Sequence, residues 1–196
     1  MNWIIPGTTL EGLRGNADRT DGLFQSMFLA GGLTLSQVAS ITGLETYTIQ
    51  NWVKRGFLAP PQSKRYNMEQ VCRIININML KSALPLEQIC RLISYINGSL
   101  TDESDDIIDD AALYFKFVSL AARARHIGGS KEWGEAIEEV LANYAEPYPG
   151  AREKVAKVLR IMLTAWIAAR LKEQTDTMIA DLTREDESTE LTRQIH

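Results

Sequence analysis

The sequence predicts a mainly all-α protein, and three observations predict it. Apolar residues recur at three- and four-residue spacings through most of the 196 residues. Strand-like alternation is confined to residues 74–78, a run that also fits a helix. Helix punctuation recurs between the apolar runs, with a capping residue before several of them and Gly or Pro after most. An apolar fraction of 45% is ordinary for a globular core.

Residues 1–20 mix Gly, Thr, Asn and Arg without a period and read as a loose arm or as a strap across another surface. Asp21 is placed to cap a short helix faced by Leu23, Phe24, Met27, Phe28 and Leu29, which Gly31 and Gly32 stop. Thr34 opens the next helix, and Gln37 three residues on completes a capping box. Leu35, Val38, Ala39 and Ile41 face inward, and Gly43 ends the helix. A second helix covers residues 46–55, with Ile49 and Val53 inward. Its outward residues are Tyr47, Thr48, Gln50, Asn51 and Lys54, with Trp52 open to either side, and together with Thr46 and Arg55 they form the face expected to meet a nucleic acid. Gly56 caps its end, and Phe57, Leu58 and Pro60 follow.

Pro60 and Pro61 then turn the chain into Gln62, Ser63, Lys64, Arg65 and Tyr66. Two cations before an aromatic, directly after such a helix, suit a small β wing on a phosphate backbone. A third helix starts at Asn67 or Met68 and runs to about Ala83, with Val71, Cys72, Ile75, Met79 and Leu80 on one face. Leu84 and Pro85 break it. Leu86, Ile89, Cys90, Leu92, Ile93 and Ile96 face a fourth helix, closed by Asn97 and Gly98.

Beyond Gly98 the run 101–110 is acidic. It lacks the central Gly and closing Glu of a calcium loop, so Ser104 or Asp105 reads as the cap of a helix whose positive end the acids favour. That helix passes through Ala111, Leu113, Tyr114, Phe117, Val118 and Leu120 to His126, with Arg123 and Arg125 near its end. Ser130 caps another, through Trp133, Ile137, Val140, Leu141 and Tyr144, ended by Pro147, Tyr148, Pro149 and Gly150. A last helix spans residues 151–182 on Val155, Val158, Leu159, Met162, Trp166 and Ala169, widened by Leu163, Ile167 and Leu171. Lys172 and Asp176 interrupt that heptad, so an extended coiled coil is not expected. Trp133, Tyr144, Val155, Leu159, Met162 and Trp166 are candidates for a dimer face or a pocket, or are core. The expected organisation is an arm and short helix over 1–32, a helix-turn-helix head over 33–98, a helical body over 99–182 and a polar, frayed tail over 183–196.

The net charge is −4, and its distribution says more than its sum. Residues 31–97 carry seven bases and three acids, whereas residues 98–120 carry six acids and one lysine. A basic head beside an acidic body suits a polyanion-binding module. Gln50 and Asn51 can bond adenine edges, while Thr and Lys reach phosphates. Cys72 and Cys90 lie in apolar patterns without C-x-x-C spacing and read as buried thiols in a reducing cytoplasm. No leader is read at the N-terminus, and the most apolar stretch, 159–171, is too short to span a membrane. No nucleophile–base pair, phosphate loop or His-based metal cluster appears, so neither an enzyme nor a cofactor is expected.

The head resembles the DNA-binding domain of MerR-type regulators. Leu35, Val38, Ala39 and Gly43 match its first helix, and Thr48, Ile49, Gly56, Leu58 and Pro60 its second. Lys64 and Tyr66 stand at its wing, and Leu86, Glu87 and Ile89 at its fourth helix. The resemblance implies a winged helix-turn-helix, double-stranded DNA as partner, and a homodimer paired through the C-terminal helix. Gln50 and Asn51 replace the usual Arg and Tyr, Glu45 stands where Ser is common, and the wing is short. The paired cysteines of metal-sensing members are absent, so metal sensing is not implied. The chain is also similar, over residues 23–110, to a bacterial family known only as a domain of unknown function. That similarity rests on LTLSQV, ITGL, IQNWVKRG, the SKRY wing and the run SYINGSLTDESDD. The expected function is a dimeric DNA-binding transcription regulator. The alternatives are a protein-interaction adaptor on the same scaffold and a small-molecule sensor using the helical body.

Overall fold

The computed structural model describes residues 2–98, 106–124 and 130–194. Helices α1 (Thr20–Phe28), α2 (Leu35–Thr42), α3 (Thr46–Lys54), α4 (Met68–Leu80), α5 (Leu86–Asn97), α6 (Asp110–Ala124), α7 (Ser130–Val140) and α8 (Ala151–Gln194) carry the fold. The strands are two or three residues long: β1 (Asn2–Ile4), β2 (Glu11–Leu13), β3 (Leu33–Thr34) and β4 (Arg65–Tyr66). The architecture is therefore mainly all-α. Among the described residues no helix is long and apolar enough to cross a membrane.

Local chemistry sets the start of each head helix. Thr34 and Gln37 form the expected reciprocal box at α2, the Thr34 amide donating to Gln37 Oε1 at 2.9 Å. Gly43 closes α2 at φ 67°, where a side chain would be strained. Asn67 and Gln70 repeat the box at α4, with bonds of 2.8 and 3.0 Å. Gln70 also donates to the Pro60 carbonyl at 2.9 Å, tying the wing loop to α4.

Helix α4 is the centre of the molecule. Every residue from position 71 to 77 is buried, and α4 packs against α1, α2, α5, α6 and α8. This settles residues 74–78 as helix. A helix covered on all sides keeps apolar residues at every angle, so neither period shows clearly. The head and the body thus share one core, which includes Ile74, Ile75 and Ile77 of α4 and Tyr114 and Phe117 of α6.

The N-terminal residues form a strap rather than a loose arm. Strands β1 and β2 pair antiparallel, Trp3 opposite Gly12. The intervening turn clips onto three helices. The Pro6 carbonyl accepts from the buried Tyr114 hydroxyl at 3.0 Å, the Gly7 carbonyl from Asn78 at 3.0 Å, and the Thr9 amide donates to the Ile41 carbonyl at 2.7 Å. Gly7 has φ 73°, and a Cβ there would meet the Ile75 side chain at 2.8 Å. Asp21 does not cap α1. The helix starts one residue earlier, at Thr20, whose hydroxyl donates to the Ala17 carbonyl instead.

The body departs from expectation at both ends. Helix α6 begins at Asp110, where Asp109 accepts from the Ala112 amide at 2.5 Å and Glu69 of α4 accepts from the Ala111 amide at 2.9 Å. The expected caps Ser104 and Asp105 lie outside the described residues, as do Arg125 and His126. Helix α8 continues to Gln194, through residues expected to fray. Its first half packs inward. Val155, Leu159 and Met162 are fully buried and Trp166 meets Phe117 edge-on at 5.9 Å, so these four are core and not a dimer face.

Candidate nucleic-acid interface

Helix α3 divides cleanly into two faces. Ile49 and Trp52 are buried, at 0% and 5% exposure, and fix the helix on the head core. Trp52 therefore belongs to the inner face. A turn of about 100° per residue gathers Tyr47, Gln50, Asn51 and Lys54 into one arc on the opposite side. All four are exposed, Tyr47 at 69%. Thr46 is exposed at the margin, and Thr48 is half-buried. Glu45 precedes the helix without a side-chain capping bond and is exposed beside the same end.

Arg55 leaves this face. Its guanidinium pairs with Glu87 of α5 at 2.6 Å and lies 4.6 Å from the centre of the Phe57 ring. Both partners of the pair are well exposed, so it contributes at most about 1 kcal/mol. Its effect on the surface is to neutralise one expected cation.

The wing is built differently from a free-standing loop. Residues Arg65 and Tyr66 pair with Thr34 and Leu33, the segment entering α2. A bridge between Gln62 and Arg65 closes the tip, the Arg65 amide donating to the Gln62 carbonyl at 2.8 Å. Ser63 and Lys64 occupy the tip at φ 47° and 61°. Two successive positive φ values define a tight two-residue hairpin turn that normally takes Asn-Gly. A non-glycine residue there costs on the order of 1 kcal/mol or more. The tip thus spends stability on holding a lysine outward.

The other two wing residues correct the sequence reading. Tyr66 is 2% exposed and burial pushes its phenol pKa up, so it packs the core and cannot meet a nucleic acid. A half-period signal was available, because the strand alternation that exposes Arg65 turns Tyr66 inward. Arg65 remains exposed, but its guanidinium donates to the Gly32 carbonyl at 2.8 Å and braces the hairpin. Lys54 and Lys64 are exposed, and no ion pair among the described residues engages either.

Behind the wing lies a cleft of about 1100 Å³ between residues 58–62, α4, the end of α5 and the start of α6. Its floor holds a buried ion pair that composition could not reveal. Arg73 donates to Asp110 at 3.0 Å, with side chains 7% and 10% exposed. Asn97, also buried, sits beside Asp110 and its side chain favours the carboxylate, while Arg73 Nε has no hydrogen-bond partner among the described residues. Burial raises the Asp110 pKa, opposed by the Arg73 charge. Arg73 is therefore lost to the basic surface and serves the head–body seam. Tyr144 lines the outer wall of this cleft, its hydroxyl donating to the Ile107 carbonyl at 2.6 Å. Trp133 lines a second pocket of about 760 Å³ with Trp166, at the root of the exposed half of α8. Among the described residues no cluster of His, Cys, Asp or Glu is arranged to hold a metal.

Comparison with known proteins addresses this part of the chain. Residues 32–117 match a family described as a domain of unknown function, DUF1836. The match runs from the start of β3 into α6, so it includes both partners of the Arg73–Asp110 pair. An uncharacterized protein of Bacillus subtilis (strain 168), YkrK, is 32% identical over 84 residues, which is 41% of this chain and 36% of the relative. The chain therefore spans about a third of that relative's length. No solved structure matches.

Proposed function

We propose that this protein is a DNA-binding transcription regulator of the MerR-like winged helix-turn-helix type. The observation that carries the reading is the outer arc of α3. Gln50 and Asn51, both able to bond a base edge through two atoms, lie between an exposed Tyr47 and an unpaired Lys54. A helix of this diameter fits a major groove, and the strained hairpin tip offers Lys64 to the flanking phosphate. The basic residues left free are few, so affinity is expected to be modest and partly shape-driven, and the acidic body keeps the rest of the surface away from the duplex.

Recovery of genomic fragments on the purified protein, followed by titration at several salt concentrations, tests this. Each phosphate contact contributes about 0.9 to the slope of log affinity against log salt. Lys54→Ala with Lys64→Ala should lower that slope by about 2 per head, whereas Asn51→Ala should cost about 1–3 kcal/mol on the preferred site with little change in slope. Binding with no salt dependence, or a slope indifferent to the two lysines, would remove the regulator reading. The exposed Tyr47 and the neutralised Arg55 favour one other use of the same arc, docking of a protein. That use predicts a stable complex and no recovered DNA.

A further inference from the structure

Two unspent polar groups lie in the floor of the cleft behind the wing. Arg73 is 6% exposed there and uses Nη1 on Asp110, while its Nε donor has no partner among the described residues. Asn97, on the same floor, is 2% exposed. The neighbouring Asp110 carboxylate can take only the amide N–H groups of Asn97, which leaves Oδ1, and that acceptor is likewise without a partner. Both side chains flank one carboxylate, so an unpaired donor and an unpaired acceptor stand close together. Buried groups in that condition are rare in native folds and costly to keep.

The walls add charge and shape. Glu69, Asp106, Asp109 and Asp110 line the cleft, four carboxylates against the one guanidinium of Arg73. Two of the four are held in place by the first turn of α6. Glu69 Oε2 accepts from the Ala111 amide and Asp109 Oδ1 from the Ala112 amide. Their charge is therefore fixed by backbone bonds rather than carried on loose side chains. Leu58 and Ile107 supply an apolar side, and the volume is that of a small-molecule site.

These features reject three kinds of ligand. A plain cation leaves Arg73 unpaired and repelled. A plain anion meets four carboxylates. A neutral apolar molecule satisfies neither buried group. We propose that the cleft binds an α-amino acid with a basic side chain, which supplies every missing partner. Its carboxylate accepts from Arg73, and its α-ammonium donates to Asn97 Oδ1. The methylene stem covers Leu58 and Ile107, and the cation at its end reaches Glu69 and Asp109. Arg73 Nε and Asn97 Oδ1 are sealed from water, so binding includes a rotation that turns both side chains toward the ligand. The site uses neither α3 nor Lys64, so the inference stands apart from DNA binding.

Isothermal titration of the full chain with L-lysine and L-arginine tests the assignment. Cadaverine lacks the carboxylate and L-norleucine lacks the side-chain cation, so each control removes one end. Either basic amino acid should saturate one site per chain, and both controls should bind at least about tenfold more weakly than L-lysine, the scale of one charge-assisted bond. Glu69→Gln with Asp109→Asn removes two charges but keeps an oxygen for each amide of α6. That variant should show an unchanged far-ultraviolet spectrum and bind L-lysine at least about tenfold more weakly. No saturation by either amino acid below about 10 mM overturns the site. Cadaverine binding as tightly as L-lysine does so too, as does a double variant that binds like wild type. Should the double variant unfold, the two controls on wild type decide alone.

Discussion

Replacing Arg73 by Met should destabilise the protein by about 3–4 kcal/mol at pH 7, and the cost should shrink in acid. The pair is 3.0 Å long and nearly sealed from water. At an effective dielectric of 20 the attraction is worth about 5 kcal/mol, which bounds the loss from above. A second bound comes from protonation. Left without its cation, Asp110 takes up a proton, and doing so at pH 7 costs about 4 kcal/mol for a carboxyl whose ordinary pKa is 3.8. Breaking one side of a buried pair usually costs about 3–5 kcal/mol, in the same range. The sign with pH follows from the same chemistry. The variant's Asp110 pKa lies above that of the wild type, so the stability gap grows as pH rises from the wild-type folded value to the variant's, levels off above that, and closes as pH falls below the wild-type value. Urea unfolding followed by circular dichroism at pH 7 and pH 4.5 measures both numbers. Arg73→Met with Asp110→Leu should return to within about 2 kcal/mol of wild type, since an apolar pair of similar volume replaces the ions. A single-variant cost below 1 kcal/mol at pH 7, or one that does not change with pH, would show that the seam does not depend on this pair.

Three other outcomes follow. Asp110 has a raised pKa in the folded protein, so the stability of wild type relative to Asp110→Asn should be highest below the ordinary value of 3.8, fall as pH rises from there to the raised folded value, and level off above it, read by the same unfolding experiment. Gly7→Ala should cost about 1–3 kcal/mol in urea unfolding, because it combines a left-handed backbone with a 2.8 Å approach to Ile75. Lys64→Gly should raise stability by up to about 1 kcal/mol in thermal unfolding by relieving φ 61°, and should at the same time weaken DNA binding in a gel-shift titration.

The head was legible because its signals are local. Thr34 with Gln37 announces a helix start three residues ahead, and Gly43 announces its end. The signals that failed are of two kinds. Trp52 carries a polar atom and sits among polar neighbours, so residue type leaves its direction open, whereas the wing reading puts Tyr66 outward although strand alternation turns it in; packing on the core decides both. The strap at residues 2–13 is held by the carbonyls of Pro6 and Gly7, groups every residue possesses, and so leaves no period to read. Arg73 and Asp110 stand 37 positions apart, and nothing near either predicts the other. The predicted match to a domain of unknown function began nine residues earlier and ended seven residues sooner than the matched range 32–117. The matched unit ends inside α6, where no boundary signal is present.

Burial of α4 from both sides limits how a signal can reach the wing. The front of the molecule is packed onto the rear, because α4, which fills the head, also packs along α6. Any event at the rear must travel as a small slide or roll of α4, with Gln70 carrying the displacement to the Pro60 carbonyl and so to the hairpin. Motion of that kind is a shear of packed helices, measured in fractions of a helical turn.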